Sequence, residues 1–190
     1  VNGRDFYRWW CPSEECKARH AAAFAVLHGK ARAADIDTRP EKILPVHGIP
    51  ALYHHARLDL FDGDMRIMRA ARAWVESPSD LFIYGTPGAG KTWLSCALLV
   101  ELIRAGGHTV FFSPVKEYLF LLRATFDRDD DGDRARELDI INRFGSYDFL
   151  CLDDAGAGSA SDFTADRILT LLDRRQGAKR ITIVTSNLDI

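Results

Sequence analysis

The sequence lacks any apolar run near the roughly 20 residues that a membrane-spanning helix needs, and its first residues lack the pattern of a signal peptide. We therefore expect a cytoplasmic protein with no membrane partner. Cysteine is scarce, at four of 190 residues, so a disulfide framework is not indicated. Two of the four, Cys96 and Cys151, lie in apolar runs, and we expect them to be small buried side chains. The formal net charge is only −2, so any contact with nucleic acid would need a local basic patch.

The remaining composition is that of an ordinary globular protein. Hydrophobic residues make up 47% of the chain and charged residues 27%. A chain of 190 residues is long enough for one complete α/β core with a small appendage. The chain begins at Val1 rather than at methionine, so we expect a fragment or a processed form.

One stretch organises the rest of the sequence: residues 85–92, GTPGAGKT, fit the pattern G-x-x-x-x-G-K-[ST] without a mismatch. A short apolar run, 81–84, precedes it like a buried strand, and a longer one, 93–103, follows it like a helix packed on a sheet. This context disfavours an ordinary glycine-rich turn. Glycines let the backbone N–H groups point at phosphate oxygens, and the helix N-terminus adds a partial positive charge. The predicted nucleotide-binding residues are Gly85, Thr86, Pro87, Gly88, Ala89, Gly90, Lys91, Thr92 and Trp93.

A second landmark is the run 148–154, in which an apolar stretch typical of a strand buried on both faces ends in Asp153 and Asp154. Ligands of open α/β sheets bind beyond the carboxyl ends of the strands, so we expect both carboxylates to face the phosphates. Two acids exposed on the surface are the alternative. The strand predicted at 181–187 ends in Asn187, which by the same rule can reach the γ-phosphate or the attacking water.

These residues predict a division of roles. Lys91 would contact the β- and γ-phosphates, and Thr92 and Asp153 would hold Mg²⁺. Asp154 would orient or deprotonate the attacking water. The predicted catalytic residues are therefore Lys91, Asp153, Asp154 and Asn187.

Upstream of the glycine loop, Pro40, Pro45 and Pro50 predict a linker. An amphipathic helix near 64–76 follows, and it either forms a wall for the adenine ring or simply packs on the core. Further along, the acidic run 127–133 has the beginning of a calcium loop, but the glutamate required at its twelfth position is replaced by Leu138. We expect a solvated acidic loop there.

Residues 1–45 differ from the rest of the chain and are predicted to form an N-terminal arm. Cys11, Cys16 and His20 offer sulfur and nitrogen ligands of the kind that Zn²⁺ binds. The close C-x2-C pair of a zinc knuckle is absent. The alternative is a small helical arm with reduced cysteines, built on the alanine-rich stretch 18–35.

Four motifs, in this order and at these separations, resemble the DnaC/DnaI-like helicase loaders and the related IstB transposition ATPases, a branch of the AAA+ superfamily near DnaA. They are Gly48-Ile49-Pro50, GTPGAGKT at 85–92, LCLDDAG at 150–156 and IVTSNL at 183–188. The resemblance covers about residues 46–190. It implies an α/β P-loop NTPase fold with a parallel sheet of strand order 5-1-4-3-2 and flanking helices. It also implies that Lys91 and Thr92 belong to Walker A, Asp153 and Asp154 to Walker B, and Asn187 to sensor 1.

The function implied by this resemblance is that of an ATP-binding protein that loads a DnaB-type replicative helicase onto single-stranded DNA. ATP or ADP and Mg²⁺ would be its cofactors, and the full-length protein would self-associate. A transposition helper like IstB is one alternative, and a nucleotide-gated interaction module that does not hydrolyse ATP is another. The second Walker B acid is aspartate, one carbon shorter than the usual glutamate, so we expect slow hydrolysis.

The chain departs from the family pattern at its end. It stops at Ile190, ahead of the fifth strand, the lid, the arginine finger and sensor 2, so we expect a truncated ATPase domain, 46–190, that hydrolyses ATP weakly. Arg174 and Arg175 are possible substitutes for the finger, although a solvated helix end is the expected role of both.

Overall fold

A computed structural model describes residues 33–125, 133–156 and 162–187 of the chain. Four parallel strands form one sheet of order β1-β4-β3-β2. This order confirms the prediction for the four strands concerned. The first five residues of β3 are buried, as expected of a strand covered on both faces. The strands are β1 Leu81–Tyr84, β2 Val110–Pro114, β3 Phe149–Ala155 and β4 Ile181–Ser186.

Helices flank the sheet. In chain order they are α1 Ala33–Thr38, α2 Pro40–Ile43, α3 Met65–Glu76, α4 Lys91–Ala105, α5 Val115–Arg123, α6 Asp133–Ser146 and α7 Asp162–Gly177. Short 3-10 helices lie at Leu44–His47, Ala51–Tyr53 and Leu58–Leu60. Among the described helices, none is long and apolar enough to cross a membrane.

In the part of the chain that the structure describes, two hydrophobic clusters form the core. The first joins α4 with α3, the segment 36–61 and the sheet, and the second joins α5, α6 and α7 with the sheet. Every residue from Leu94 to Val100 in α4 is buried, which is typical of a helix enclosed on all sides. Cys96 and Cys151 are free and fully buried, as predicted. Three side chains of α3, including Trp74, are buried in the first cluster, so this helix packs on the core.

The linker predicted around Pro40, Pro45 and Pro50 is wrong. Pro40 begins α2, and Pro45 is the second residue of the 3-10 helix that follows it, because the fixed φ of proline suits the first turn of a helix. Leu44 and Ile49 are 0% and 2% exposed and belong to the first cluster. The segment is therefore a packed part of the molecule.

Gly48, which follows that 3-10 helix, is closely confined by the sheet. It adopts φ +75°, and a Cβ placed on it would lie 2.1 Å from the carbonyl oxygen of Phe112 in β2. No side chain fits there without displacing the strand. The motif Gly48-Ile49-Pro50 thus has a packing role.

Arg175 is not the solvated residue that the sequence predicts, nor is it placed as an arginine finger. Its side chain is fully buried between the C-terminal end of α6 and the starts of β3 and β4. The adjacent Arg174 is exposed. Burial lowers the pKa of Arg175 to about 10, so the guanidinium stays charged at neutral pH. It donates hydrogen bonds to the Thr182 hydroxyl and to the carbonyls of Phe144, Tyr147, Asp148 and Ile181.

Several sequence predictions fall outside the described residues. These are the zinc ligands Cys11, Cys16 and His20, nearly all of the 18–35 stretch, and the acidic run up to residue 132. They stay predictions. Within the described ranges, no group of histidine, cysteine or acidic side chains is arranged to hold a metal by itself.

Candidate nucleotide-binding site

The glycine loop connects β1 to α4 at the carboxyl edge of the sheet. Gly90 caps the N-terminus of α4 with φ +82°, a conformation that other residues adopt only with strain. The first turn of α4 therefore presents its free N–H groups and its partial positive charge to the loop. The Lys91 ammonium donates hydrogen bonds to the carbonyls of Gly85 and Thr86, at 2.9 and 2.8 Å, which holds the side chain along the loop.

The Asp153 carboxylate lies beside this helix start. Its oxygens accept hydrogen bonds from the Thr92 hydroxyl at 3.0 and 3.1 Å, and one also accepts from the Thr185 hydroxyl at 2.6 Å. Asp153 is only 7% exposed. Burial raises its pKa above the usual range, while the hydrogen bonds from the two threonines oppose that effect.

Asp154 has a different environment from its neighbour. Its backbone adopts φ +60°, and its carboxylate accepts a hydrogen bond from the Asn187 amide at 2.8 Å. The ammonium of Lys116, near the start of α5, lies 3.9 Å from the same carboxylate, and both side chains are partly exposed. Because this pair is solvated, its ionic contact adds little stability, but it places a cation beside Asp154.

These side chains surround a cavity of about 420 Å³. It brings together residues from the glycine loop, from the start of α4 and from the tips of β3 and β4, which the sequence predicted as one site. Gly85, Thr86 and Ala89 do not line the cavity. Trp93, which lines the cavity, packs against Phe61 with ring centroids 5.5 Å apart. The lining residues are Tyr53, Pro87, Gly88, Gly90, Lys91, Thr92, Trp93, Asp153, Asp154, Thr185 and Asn187.

Sequence reasoning missed three residues of this site: Tyr53, Lys116 and Thr185. Thr185 was detectable, because alternate residues of a strand share a face and Thr185 is two residues before Asn187. Tyr53 and Lys116 carry no local signal. They reach the site only because the segment after Gly48 packs against the sheet and because α5 begins directly after β2.

The donor set suits Mg²⁺. A threonine hydroxyl and a carboxylate are the hard oxygen ligands that this ion prefers. The Lys91 ammonium of the same cavity acts on the Asp153 carboxylate electrostatically, as a bound cation would. Thr92 and Asp153 therefore fit the predicted metal site.

Comparison with known proteins agrees with this geometry. The model of the IstB-like ATP binding protein family matches residues 51–190. The insertion sequence ATP-binding protein y4pL of Sinorhizobium fredii is 28% identical over 183 residues, which cover 96% of this chain and 64% of that protein. The replicative helicase loader DnaC of Buchnera aphidicola is 27% identical over 157 residues, which cover 78% of this chain and 62% of that protein.

A solved structure described as the DnaC helicase loader superposes with a TM-score of 0.64 at 25% identity, and covers 74% of this chain and 81% of that one. The chain spans less than two thirds of the length of the DnaC and y4pL relatives. The fold is that of AAA+ P-loop proteins, which confirms the predicted fold class and the predicted resemblance. On the match over residues 51–190, the chain belongs to the IstB-like ATP-binding protein family.

Proposed function

We propose that the chain binds Mg²⁺ and ATP in the cavity between the glycine loop and the tips of β3 and β4, and that it hydrolyses the ATP. The observation that carries this proposal is the meeting of Thr92, Asp153, Asp154 and Asn187, which come from three elements, at one edge of the sheet. In this arrangement the buried acid, Asp153, lies beside the Thr92 hydroxyl, and the partly exposed acid, Asp154, lies beside the Asn187 amide.

The different surroundings of the two acids indicate different roles for them in binding and hydrolysis. Backbone N–H groups of the loop and the Lys91 ammonium would bind the phosphates, and Thr92 and Asp153 would hold the metal, which neutralises developing negative charge. Asp154 would accept a proton from the attacking water or orient it. Asn187, hydrogen-bonded to Asp154, would keep that carboxylate in place and reach toward the same water.

Titration with a fluorescent ATP analogue tests the binding step. Lys91→Ala should weaken binding by about 100-fold, since it removes a direct contact between charges worth roughly 1.5–3 kcal/mol. Lys42→Ala, which removes an exposed lysine of α2, should bind like the wild type. Equal affinity of Lys91→Ala and the wild type would refute the site.

Turnover tests the chemical step. Asp154→Asn keeps the amide contact and the shape of the side chain but removes the base, so it should retain ATP binding while hydrolysis falls by about 10²–10⁴-fold. A wild-type protein that binds ATP with no turnover at all would instead support a nucleotide-gated interaction module.

We further propose that this ATPase loads a DnaB-type replicative helicase onto single-stranded DNA, and that it self-associates when it does so. The similarity to DnaC proteins in sequence and fold supports this role. Co-purification with a replicative helicase in ATP, but not with the Lys91→Ala variant, is the expected result. Failure of the wild-type protein to retain the helicase in either ATP or ADP would contradict it.

A transposition helper is a second candidate, and one observation favours it. The alignment with the insertion sequence protein y4pL covers 96% of this chain, so it includes most of residues 1–45, whereas the alignment with DnaC covers 78%. Parallel co-purification with a replicative helicase and with a transposase encoded beside the gene would distinguish the two roles.

A further inference from the structure

The two acids of the site lie at an irregularity in the sheet. Along the β3–β4 pairing, Leu152 is opposite Val184, but the next paired position is Ala155 opposite Ser186. Asp153 and Asp154 together are therefore opposite the single residue Thr185, which is the arrangement of a β-bulge. A bulge leaves ladder groups unpaired and changes the direction of a side chain, so something else must hold the backbone at this point.

The hydroxyl of Thr185 provides that hold. It donates a hydrogen bond to Asp153 at 2.6 Å and accepts one from the backbone N–H of Asp154 at 2.9 Å. Thr185 is 1% exposed, so water does not compete for these bonds. A hydroxyl has one donor hydrogen, and here it is directed at the carboxylate of a proposed metal ligand.

We propose that Thr185 is a positioning residue for Mg²⁺-dependent nucleotide binding: its hydroxyl orients the Asp153 carboxylate and fixes the bulge that separates Asp153 from Asp154. The inference rests on the proposed function. Thr92, the other hydroxyl that contacts Asp153, is itself a proposed metal ligand. Thr185 is therefore the hydroxyl that remains to orient the acid when Thr92 faces the metal. Loss of such an outer partner typically lowers metal affinity or activity by about 10–100-fold.

The test compares ATP affinity over a range of Mg²⁺ concentrations and in EDTA. Thr185→Val removes the hydroxyl at nearly constant volume, so the Mg²⁺ concentration for half-maximal binding should rise by about 10–100-fold. The affinity in EDTA should equal that of the wild type, because the loop contacts are untouched. Thr185→Ser keeps the hydroxyl and should restore the Mg²⁺ dependence.

A matched control lies on the same strand. Thr182 is also buried, but its hydroxyl accepts a hydrogen bond from Arg175, away from the cavity. Thr182→Val should keep the Mg²⁺ dependence of the wild type. Equal Mg²⁺ dependence in Thr185→Val and the wild type, or equal changes in Thr185→Val and Thr182→Val, would overturn the inference.

The test also covers an unfolded Thr185→Val variant and a wild-type protein that does not bind ATP with Mg²⁺. If circular dichroism shows that Thr185→Val does not fold, Thr185→Ala replaces it, and an unchanged Mg²⁺ dependence in that variant refutes the role of the hydroxyl equally. If the wild-type protein shows no Mg²⁺-dependent ATP binding, the proposed function fails, and this inference fails with it. If the wild type binds ATP in a Mg²⁺-dependent way and the Thr185 variant shows the same Mg²⁺ dependence, only this inference is refuted.

Discussion

Replacement of the buried Arg175 should destabilise the whole domain, because this side chain joins three elements at the end of the sheet opposite the nucleotide site. In Arg175→Met, the carbonyls of Phe144, Tyr147 and Ile181, now 2.5–3.0 Å from the guanidinium, lose their donor. Each unsatisfied buried acceptor costs about 1–3 kcal/mol, and removal of the desolvated charge offsets part of this. We expect the free energy of unfolding to fall by about 4 kcal/mol.

Urea denaturation followed by far-UV circular dichroism measures this loss. With an m-value of about 2 kcal/mol/M for a domain of this kind, the midpoint should fall by about 2 M. Arg174→Met, which removes the adjacent exposed arginine, should unfold close to the wild type. Arg175→Lys should recover little, because one ammonium cannot reproduce the fork of donors.

The same experiment separates a structural arginine from a catalytic one. A catalytic finger would lower ATP turnover in Arg175→Met and leave the urea midpoint unchanged. Coincident unfolding curves for Arg175→Met and Arg174→Met would therefore refute the structural role assigned to Arg175.

Two further predictions concern other parts of the structure. Gly48→Ala should lower the free energy of unfolding by about 3 kcal/mol, since a positive φ costs about 1–2 kcal/mol and the new Cβ would meet the Phe112 carbonyl. Gly107→Ala has a similar φ but open space around it, so it should lose only about 1–2 kcal/mol in the same urea titration. Asp153→Asn should raise the thermal midpoint in EDTA near neutral pH and abolish further stabilisation by Mg²⁺ and ATP. Because burial raises the pKa of Asp153 in the folded state, its ionised form disfavours folding. The wild type should then lose stability relative to Asp153→Asn as the pH rises from about 4, and parallel pH profiles would contradict this.

The sequence could predict which residues of the candidate site meet, because the features that bring them together are local. The spacing of glycines, lysine and threonine at 85–92 determines the loop, and parallel strands bring their carboxyl ends to one edge. The meeting of Asp153 and Asn187 with the loop can therefore be predicted without knowing how the core packs. The order of the four strands does not follow from this rule. It was predicted only from the resemblance to a known family, because strand order depends on how the chain crosses between strands and not on composition.

The residues whose roles the sequence does not predict depend on distant partners. Arg175 lies four residues after Leu171, a spacing that places both on one helix face, and both are fully buried. The charge of Arg175 nevertheless favours an exposed position in a prediction from sequence. The carbonyls that accept its hydrogen bonds in the interior come from segments about 30 residues earlier in the chain, where the sequence gives no sign of them. Likewise, Pro40 and Pro45 indicated a linker, and only the burial of Leu44 and Ile49 reveals a packed segment.

The burial of α4 from Leu94 to Val100 has a consequence for signalling. This part of the helix cannot tilt or slide without opening the first cluster, so it would act as a fixed support beneath the phosphates of the proposed nucleotide. If the chain binds ATP as proposed, we expect a difference between the triphosphate and diphosphate states to be transmitted from the opposite wall of the cavity. Asp154 and Asn187 belong to that wall, and Lys116 at the start of α5 lies next to Asp154, with both side chains partly solvated.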